Sequence, residues 1–155
     1  GRSSVTGAVY DVSHQREGFL DQHLIFAPMG ALAFLTFGVL LLIPIRRFRA
    51  GAAGQIVSDD FKFGESGNVP GQVAIPNRNY MNLLEVPMLF YVGSLMFFGT
   101  GKVDALVLGA AWLYVALRAV HSAIHLTYNR VMPRLLHFAL SNFVLLAYWL
   151  LFFLR

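Results

Sequence analysis

LIFAPMGALAFLTFGVLLLIPI, residues 24–45, is 22 residues long and contains no Asp, Glu, Lys, Arg or His. A helix needs about 20 such residues to cross the hydrocarbon core of a bilayer, so this stretch fixes the solvent in which the chain folds. The stretch closes on Arg46-Arg47-Phe48-Arg49, a basic flank of the kind that sits at headgroup level. The rest of the chain agrees: 57% of the 155 residues are hydrophobic and 13% charged, against about 45–50% and about 25% in soluble domains. Cysteine is absent, which excludes a disulfide-stapled secreted domain and means that any thiol chemistry uses a thiol carried by a substrate.

Three more spans follow, at about 79–101, 104–129 and 135–154. No alternating barrel pattern is present, and helices are then the only way to cross. The expected fold is all-α: a four-helix transmembrane bundle, one membrane domain over 1–155. Its polar segment 1–22 has no apolar h-region and does not read as a signal peptide. The chain begins at Gly1 and reads as lacking its native start. Pro28 and Pro44 lie near the ends of the first span, where proline is tolerated; Pro87, inside the second, is expected to kink it. Residues 46–78 form a long polar loop, and unstructured loops of that length are functional or mobile.

The net charge of +4 is no nucleic-acid signal, because the basic residues flank apolar segments instead of forming one patch. Seven of them (Arg46, Arg47, Arg49, Lys62, Arg78, Arg130, Arg134) fall on the long-loop side, against four (Arg2, Arg16, Lys102, Arg155) opposite. That excess places the long loop in the cytoplasm and both termini outside. The expected location is a bacterial inner membrane rather than the endoplasmic reticulum.

Polar residues within the spans carry the functional information. Arg78, Asn82 and Glu85 are spaced i, i+4, i+7; Tyr114, Arg118, His121 and His125 follow i, i+4, i+7, i+11. Each set shares one helix face, and the two faces overlap in depth. The opposite face of the third helix carries Ala105, Gly109, Ala116 and Ala123, small residues that let another helix approach. A lone charge at mid-bilayer costs at least about 2.5–3.5 kcal/mol, so Glu85 and Arg118 are expected to face inward and line a pocket open to the cytoplasmic side. The plainer reading makes Glu85 and Arg118 a structural ion pair, the histidines interhelical hydrogen-bonding groups, and Arg46, Arg47 and Arg49 headgroup anchors. No metal is expected: His121 and His125 would need a third ligand, and no H-E-x-x-H arrangement is present.

Arg78-Asn79-Tyr80-Met81-Asn82-Leu83-Leu84-Glu85, an R-x3-N-x2-E pattern opening the second span, resembles the MAPEG family, the membrane-associated proteins of eicosanoid and glutathione metabolism. Arg118-x2-His121-x3-His125 followed by Arg130 and Arg134 is similar to that family's third helix and outgoing turn, and Arg46-Arg47-Phe48-Arg49 matches the end of its first span. The resemblance implies a homotrimer with glutathione, as co-substrate, held between subunits, and a lipophilic second substrate. Arg78, Asn82 and Glu85 would then hold glutathione, His121 and His125 would line it beside Arg118, and Arg46 or Arg47 would reach in from a neighbour. His125 stands where the eicosanoid enzymes carry tyrosine. Arginine suits the two glutathione carboxylates and Glu85 its ammonium.

A free thiol has a pKa of about 8.5. Lowering it by about 2 units takes about 2.7 kcal/mol, which one guanidinium in a partly dry site supplies. Arg130 is the first choice for that role and Arg134 the second, with the His125 ring hydrogen-bonding the sulfur. The expected function is a glutathione-dependent transferase or peroxidase attacking lipophilic electrophiles. The alternatives are a non-catalytic membrane subunit or adaptor and, more remotely, a proton-relay protein using Glu85, His121 and His125.

Overall fold

The computed structural model describes residues 20–155; Arg2, Arg16 and most of the N-terminal polar segment lie outside them. Four helical rods, each long and apolar enough to span a membrane, run over Gln22–Ala52, Gly71–Gly99, Ala105–Leu126 and Val131–Leu154. The all-helical, four-span architecture is as expected.

The first rod opens with a short 3-10 turn, Gln22–Ile25, whose Asp21 cap accepts from the His23 N–H at 2.9 Å. It continues as α1 (Phe26–Ala52). At 31 residues the rod is about 46 Å long at about 1.5 Å per residue, well beyond the hydrocarbon thickness of about 30 Å. The excess falls at the basic end, where Arg46, Arg47 and Arg49 suit the last two turns to the headgroup layer. Gly54 terminates it at φ +68°. The Gln55 and Gly54 N–H groups return to the Ala50 and Gly51 carbonyls at 2.9 and 3.0 Å, the Schellman pattern that glycine permits.

The second rod is interrupted. α2 (Gly71–Leu84) stops at Glu85, whose ψ is −88°, and α3 (Pro87–Gly99) restarts with Pro87 in its first turn. Proline has no N–H to give the preceding turn and is preorganised to start a new one. The expected kink is thus a full break. α4 (Ala105–Leu126) is capped by the Asp104 carboxylate, which accepts from the Val107 N–H at 2.8 Å. That bond, followed by the Arg155 guanidinium, holds the Asp104 carboxyl below its ordinary range. α5 (Val131–Leu154) completes the bundle.

Several boundaries differ from those expected. α1 runs through Arg46–Ala52, α2 begins at Gly71 instead of 79, the third rod ends at Leu126 and the fourth begins at Val131. Hydropathy marks the part of a helix that touches lipid; the polar ends that stand in the headgroup layer are equally helical but carry no such mark. The connection without a span is consequently residues 53–70, shorter than the expected 46–78, and it is tied down. The Asp60 carboxylate accepts from the Val57 N–H at 2.9 Å and the Ser66 hydroxyl at 2.7 Å, and these two bonds hold its pKa below the ordinary value. The Arg47 guanidinium lies 4.2 Å from the Phe61 ring centroid and 3.3 Å from Glu65.

The core is apolar and aromatic. Leu32 and Val39 of α1, Leu83, Phe90 and Phe97 of the second rod, Val107, Ala111 and Tyr114 of α4, and Leu145 and Tyr148 of α5 are buried together. Phe90 stacks on Tyr114 at 4.9 Å, and Ser94 shares a 3.0 Å hydrogen bond with the Tyr148 hydroxyl. Gly93 sits where a Cβ would come within 3.2 Å of the Tyr148 ring, so glycine here sets the α3–α5 spacing. Opposite the core, Ala105, Gly109, Ala116 and Ala123 are all exposed, an unpartnered small-residue face as the sequence spacing predicts.

Candidate functional site

Two irregular carbonyls organise the loop-side half of the bundle. Pro76 cannot donate to the Gln72 carbonyl four residues back. That oxygen accepts instead from Arg46 Nη1 at 2.8 Å, while Arg46 Nη2 reaches the Leu126 carbonyl at the end of α4 at 3.0 Å. Arg46 thereby ties α1 to α2 and α4. Deeper in, the break at Glu85 takes the Asn82 carbonyl out of the helical ladder, and Arg118 Nη2 donates to it. Arg118 is fully buried, with its Nε and Nη1 unpartnered.

The ion pair of the plainer reading, Glu85 with Arg118, does not form. The ion pairs among the described residues are Arg47–Glu65 and Arg155–Asp104. Glu85, like Arg78, is exposed on the surface of the single chain, so it does not face inward as expected. Arg118 faces inward as expected, with a backbone oxygen as its partner.

Between α2, α4 and α5 lies a cavity of about 380 Å³, lined by Ile75, Arg78, Asn82, His121, His125, Asn129, Val131, Arg134, Leu135 and Phe138. Five residues singled out from sequence thus meet: Arg78, Asn82, His121, His125 and Arg134. The volume is within the range of about 300–1,000 Å³ usual for ligand pockets. Among the described residues no carboxylate lines it, so two guanidiniums set its potential and it favours an anion. His121 Nδ1–H donates to the Arg134 carbonyl at 3.0 Å, which fixes the tautomer and leaves Nε2 with a free lone pair. His121 Nε2 and His125 Nδ1 are both buried without a partner in the chain, so water or a ligand has to satisfy them.

Arg134 is positioned by a residue that the sequence reading passed over. α4 ends at Leu126, and Asn129 takes the left-handed conformation at φ +47°, which asparagine tolerates better than other non-glycine residues. Its N–H returns to the Ile124 carbonyl at 2.8 Å and its Oδ1 accepts from Arg134 Nη1 at 2.6 Å. The half-buried Arg134 lines the cavity, whereas the exposed Arg130 only opens α5. From residue 130 to 134 the chain makes one helical turn and enters the bundle, which puts the second-choice arginine and not the first beside the cavity of the single chain. Asn129 had one legible signal, a helix-ending Thr-Tyr-Asn after the last histidine.

Arg46 and Arg47 are engaged within their own chain, the one with helix carbonyls and the other with Phe61 and Glu65. Asn79 is buried and accepts from the Ser122 hydroxyl at 3.3 Å, joining α2 to α4 behind the cavity. One turn further into the membrane along the α2/α3–α5 seam, Val86, Leu89, Asn142, Leu145, Leu146 and Trp149 line an apolar groove of about 340 Å³. Val86 follows Asn82 across the break and Asn142 lies one turn beyond Phe138, so the groove is next to the cavity along the same two rods.

A family model described as the MAPEG family matches residues 25–154, nearly the whole chain. No curated protein and no solved structure matches it. The chain belongs to the MAPEG family, and membership supports a glutathione-related transferase or related membrane function at the level of the family.

Proposed function

From that membership we infer that this chain is a glutathione-dependent membrane transferase or peroxidase acting on lipophilic electrophiles. The observation that carries the reading is the convergence of Arg78, Asn82, His121, His125 and Arg134 on one cavity with no carboxylate among its described lining residues, with a separate apolar groove next along the same rods. Glutathione supplies two carboxylates and a thiol, which match two guanidiniums and the unpartnered ring nitrogens of His121 and His125. The groove suits the apolar body of a second substrate.

In this reading the thiol proton passes to His125 Nδ1 or to water, because arginine cannot accept it. The Arg134 guanidinium stabilises the thiolate left behind. The sulfur then bonds to an electrophilic carbon as the leaving group departs or an epoxide opens. With a peroxide, it attacks the distal oxygen, the O–O bond breaks and the alkoxide leaves and takes up a proton; a second glutathione thiol then displaces water from the sulfenic acid so formed to give the disulfide.

Glu85, exposed about 10 Å beyond Arg78 along the rod, would leave a carboxylate facing lipid in a lone chain at a cost of at least about 2.5 kcal/mol. A trimer that covers Glu85 and the small-residue face of α4 removes that cost and brings the carboxylate to the glutathione ammonium across the subunit boundary. The reach of Arg46 or Arg47 from a neighbour is not carried into this proposal, since both are engaged at home.

The experiment is thermal denaturation in detergent with increasing glutathione. A ligand at 100 times its Kd adds about 2.7 kcal/mol, so the melting temperature rises with concentration and turnover of an aryl halide accompanies it. The second reading, a non-catalytic membrane subunit, is favoured by the absence of any hydroxyl among the cavity-lining residues. Binding without turnover, or no shift at millimolar glutathione, would decide for it.

A further inference from the structure

The end of α1 and the connection after it present three large apolar side chains where a water-facing surface would hide them: Phe48 is 77% exposed, Val57 66% and Phe63 94%. Their position in the fold explains the choice. Phe48 lies on the part of α1 that stands in the headgroup layer, and it continues an exposed apolar stripe down the span through Phe37, Leu41 and Ile45. These four fall within about 80° of arc at 100° per residue. Arg47, the neighbour of Phe48, stacks on Phe61 at 4.2 Å, so the 56–63 segment is held at the same depth. Between the two lies a groove of about 520 Å³ with Phe48, Ile56, Val57 and Phe61 in its walls and Arg47 at its edge. Lys62 extends beside the Phe63 ring, 5.6 Å from its centroid, an apolar body with a cationic neighbour as interfacial elements have.

We propose that the 56–63 segment and the end of α1 together bind the phospholipid of the loop-side leaflet, with Phe48, Val57 and Phe63 inserted among the upper acyl carbons and Lys62 and Arg49 at phosphate level. The groove takes the chain segment that would otherwise be left beneath the loop. The surface is continuous with the lipid-facing stripe of α1, and the Asp60 bonds to Val57 and Ser66 hold the segment in shape before any lipid arrives. This inference is independent of glutathione.

The chain has no cysteine, which permits single nitroxide labels at Val57→Cys, Phe63→Cys and Asn68→Cys in the full-length protein. Each of the first two leaves the other apolar anchors in place. After reconstitution into phosphatidylglycerol–phosphatidylcholine vesicles, collision with oxygen reports the bilayer and collision with a nickel chelate reports water. The labels at 57 and 63 should favour oxygen several-fold, and the label at 68 should favour nickel. A nickel preference at 63 would make the segment an aqueous loop and overturn the proposal. Low access to both reagents would also overturn it, and would mean that a second copy of the chain covers the surface.

Discussion

Arg46 and Arg118 do the same local job in two different solvents. Each donates to a helix carbonyl freed by an irregularity, Gln72 beside Pro76 and Asn82 at the break before Pro87. Arg46 stands at the headgroup layer, half-buried, with two carbonyls for its two terminal nitrogens. Arg118 is fully buried, with one carbonyl and two nitrogens left over. At the membrane edge an arginine is a staple, because water completes whatever the protein leaves unpaired. In the interior no water is at hand, so a break in a helix requires a donor and a donor of that size brings surplus hydrogen-bonding capacity. The candidate cavity lies between these two arginines.

The largest effect should come from Arg118→Met. It leaves the Asn82 carbonyl unpaired in an apolar setting, a cost of about 1–3 kcal/mol, and frees the break that orients Asn82. Melting temperature in detergent should fall, and glutathione affinity should fall by more than tenfold. A variant that keeps both would show the deep arginine to be no more than a staple, erasing the difference from Arg46.

Arg134 is a third case, an arginine placed by the left-handed turn at Asn129. Arg134→Leu should raise the apparent pKa of bound glutathione, read from the ultraviolet thiolate signal as pH varies, by about one unit or more. Arg130→Leu should leave it unchanged. The reverse result would restore Arg130 as the residue beside the sulfur.

A smaller change is expected for Arg46→Met, which removes two bonds worth about 0.5–1.5 kcal/mol each. Pro76→Ala returns an N–H to the Gln72 carbonyl and should recover part of the loss. Additive effects in that double-mutant cycle would mean that the proline is not why the arginine is there.

The smallest effect concerns the headgroup-level loop. The Asp60 carboxyl is held below its ordinary pKa by the Val57 N–H and the Ser66 hydroxyl, so its contribution is complete above the unfolded value of about 3.9. It is lost as pH falls through the lower folded value. Proteolysis within residues 53–70 should accelerate under acid, and Asp60→Asn should show the faster rate already at neutral pH. A variant cleaved no faster than the parent would remove Asp60 as the clasp.

Much of this was legible because the bilayer imposes a simple rule. The charge-free stretches locate the spans, and i, i+4, i+7 spacing places Arg78 with Asn82 and His121 with His125 on facing surfaces. These are properties of one helix at a time, and any helical reading of those residues gives the same faces. Helix ends were less legible, since residues 46–52 and 71–78 are polar and helical together and hydropathy sees only the polarity. The surroundings of Glu85 were not legible for another reason: spacing gives its face on the helix but not whether another element covers that face, and in the single chain none does.

The sequence alone determines that the chain crosses a membrane four times as helices, which residues within those helices are costly enough to need a purpose, and the family to which the motifs belong. It does so because local periodicity and transfer free energy are set residue by residue. Only the tertiary structure decides which partner satisfies each costly group. Arg118 takes a carbonyl rather than Glu85, Arg46 takes two helix ends, and Arg134 rather than Arg130 enters the cavity. Those outcomes depend on where a proline interrupts one helix and a left-handed asparagine ends another, and on how the remaining helices close around the oxygen atoms thus exposed.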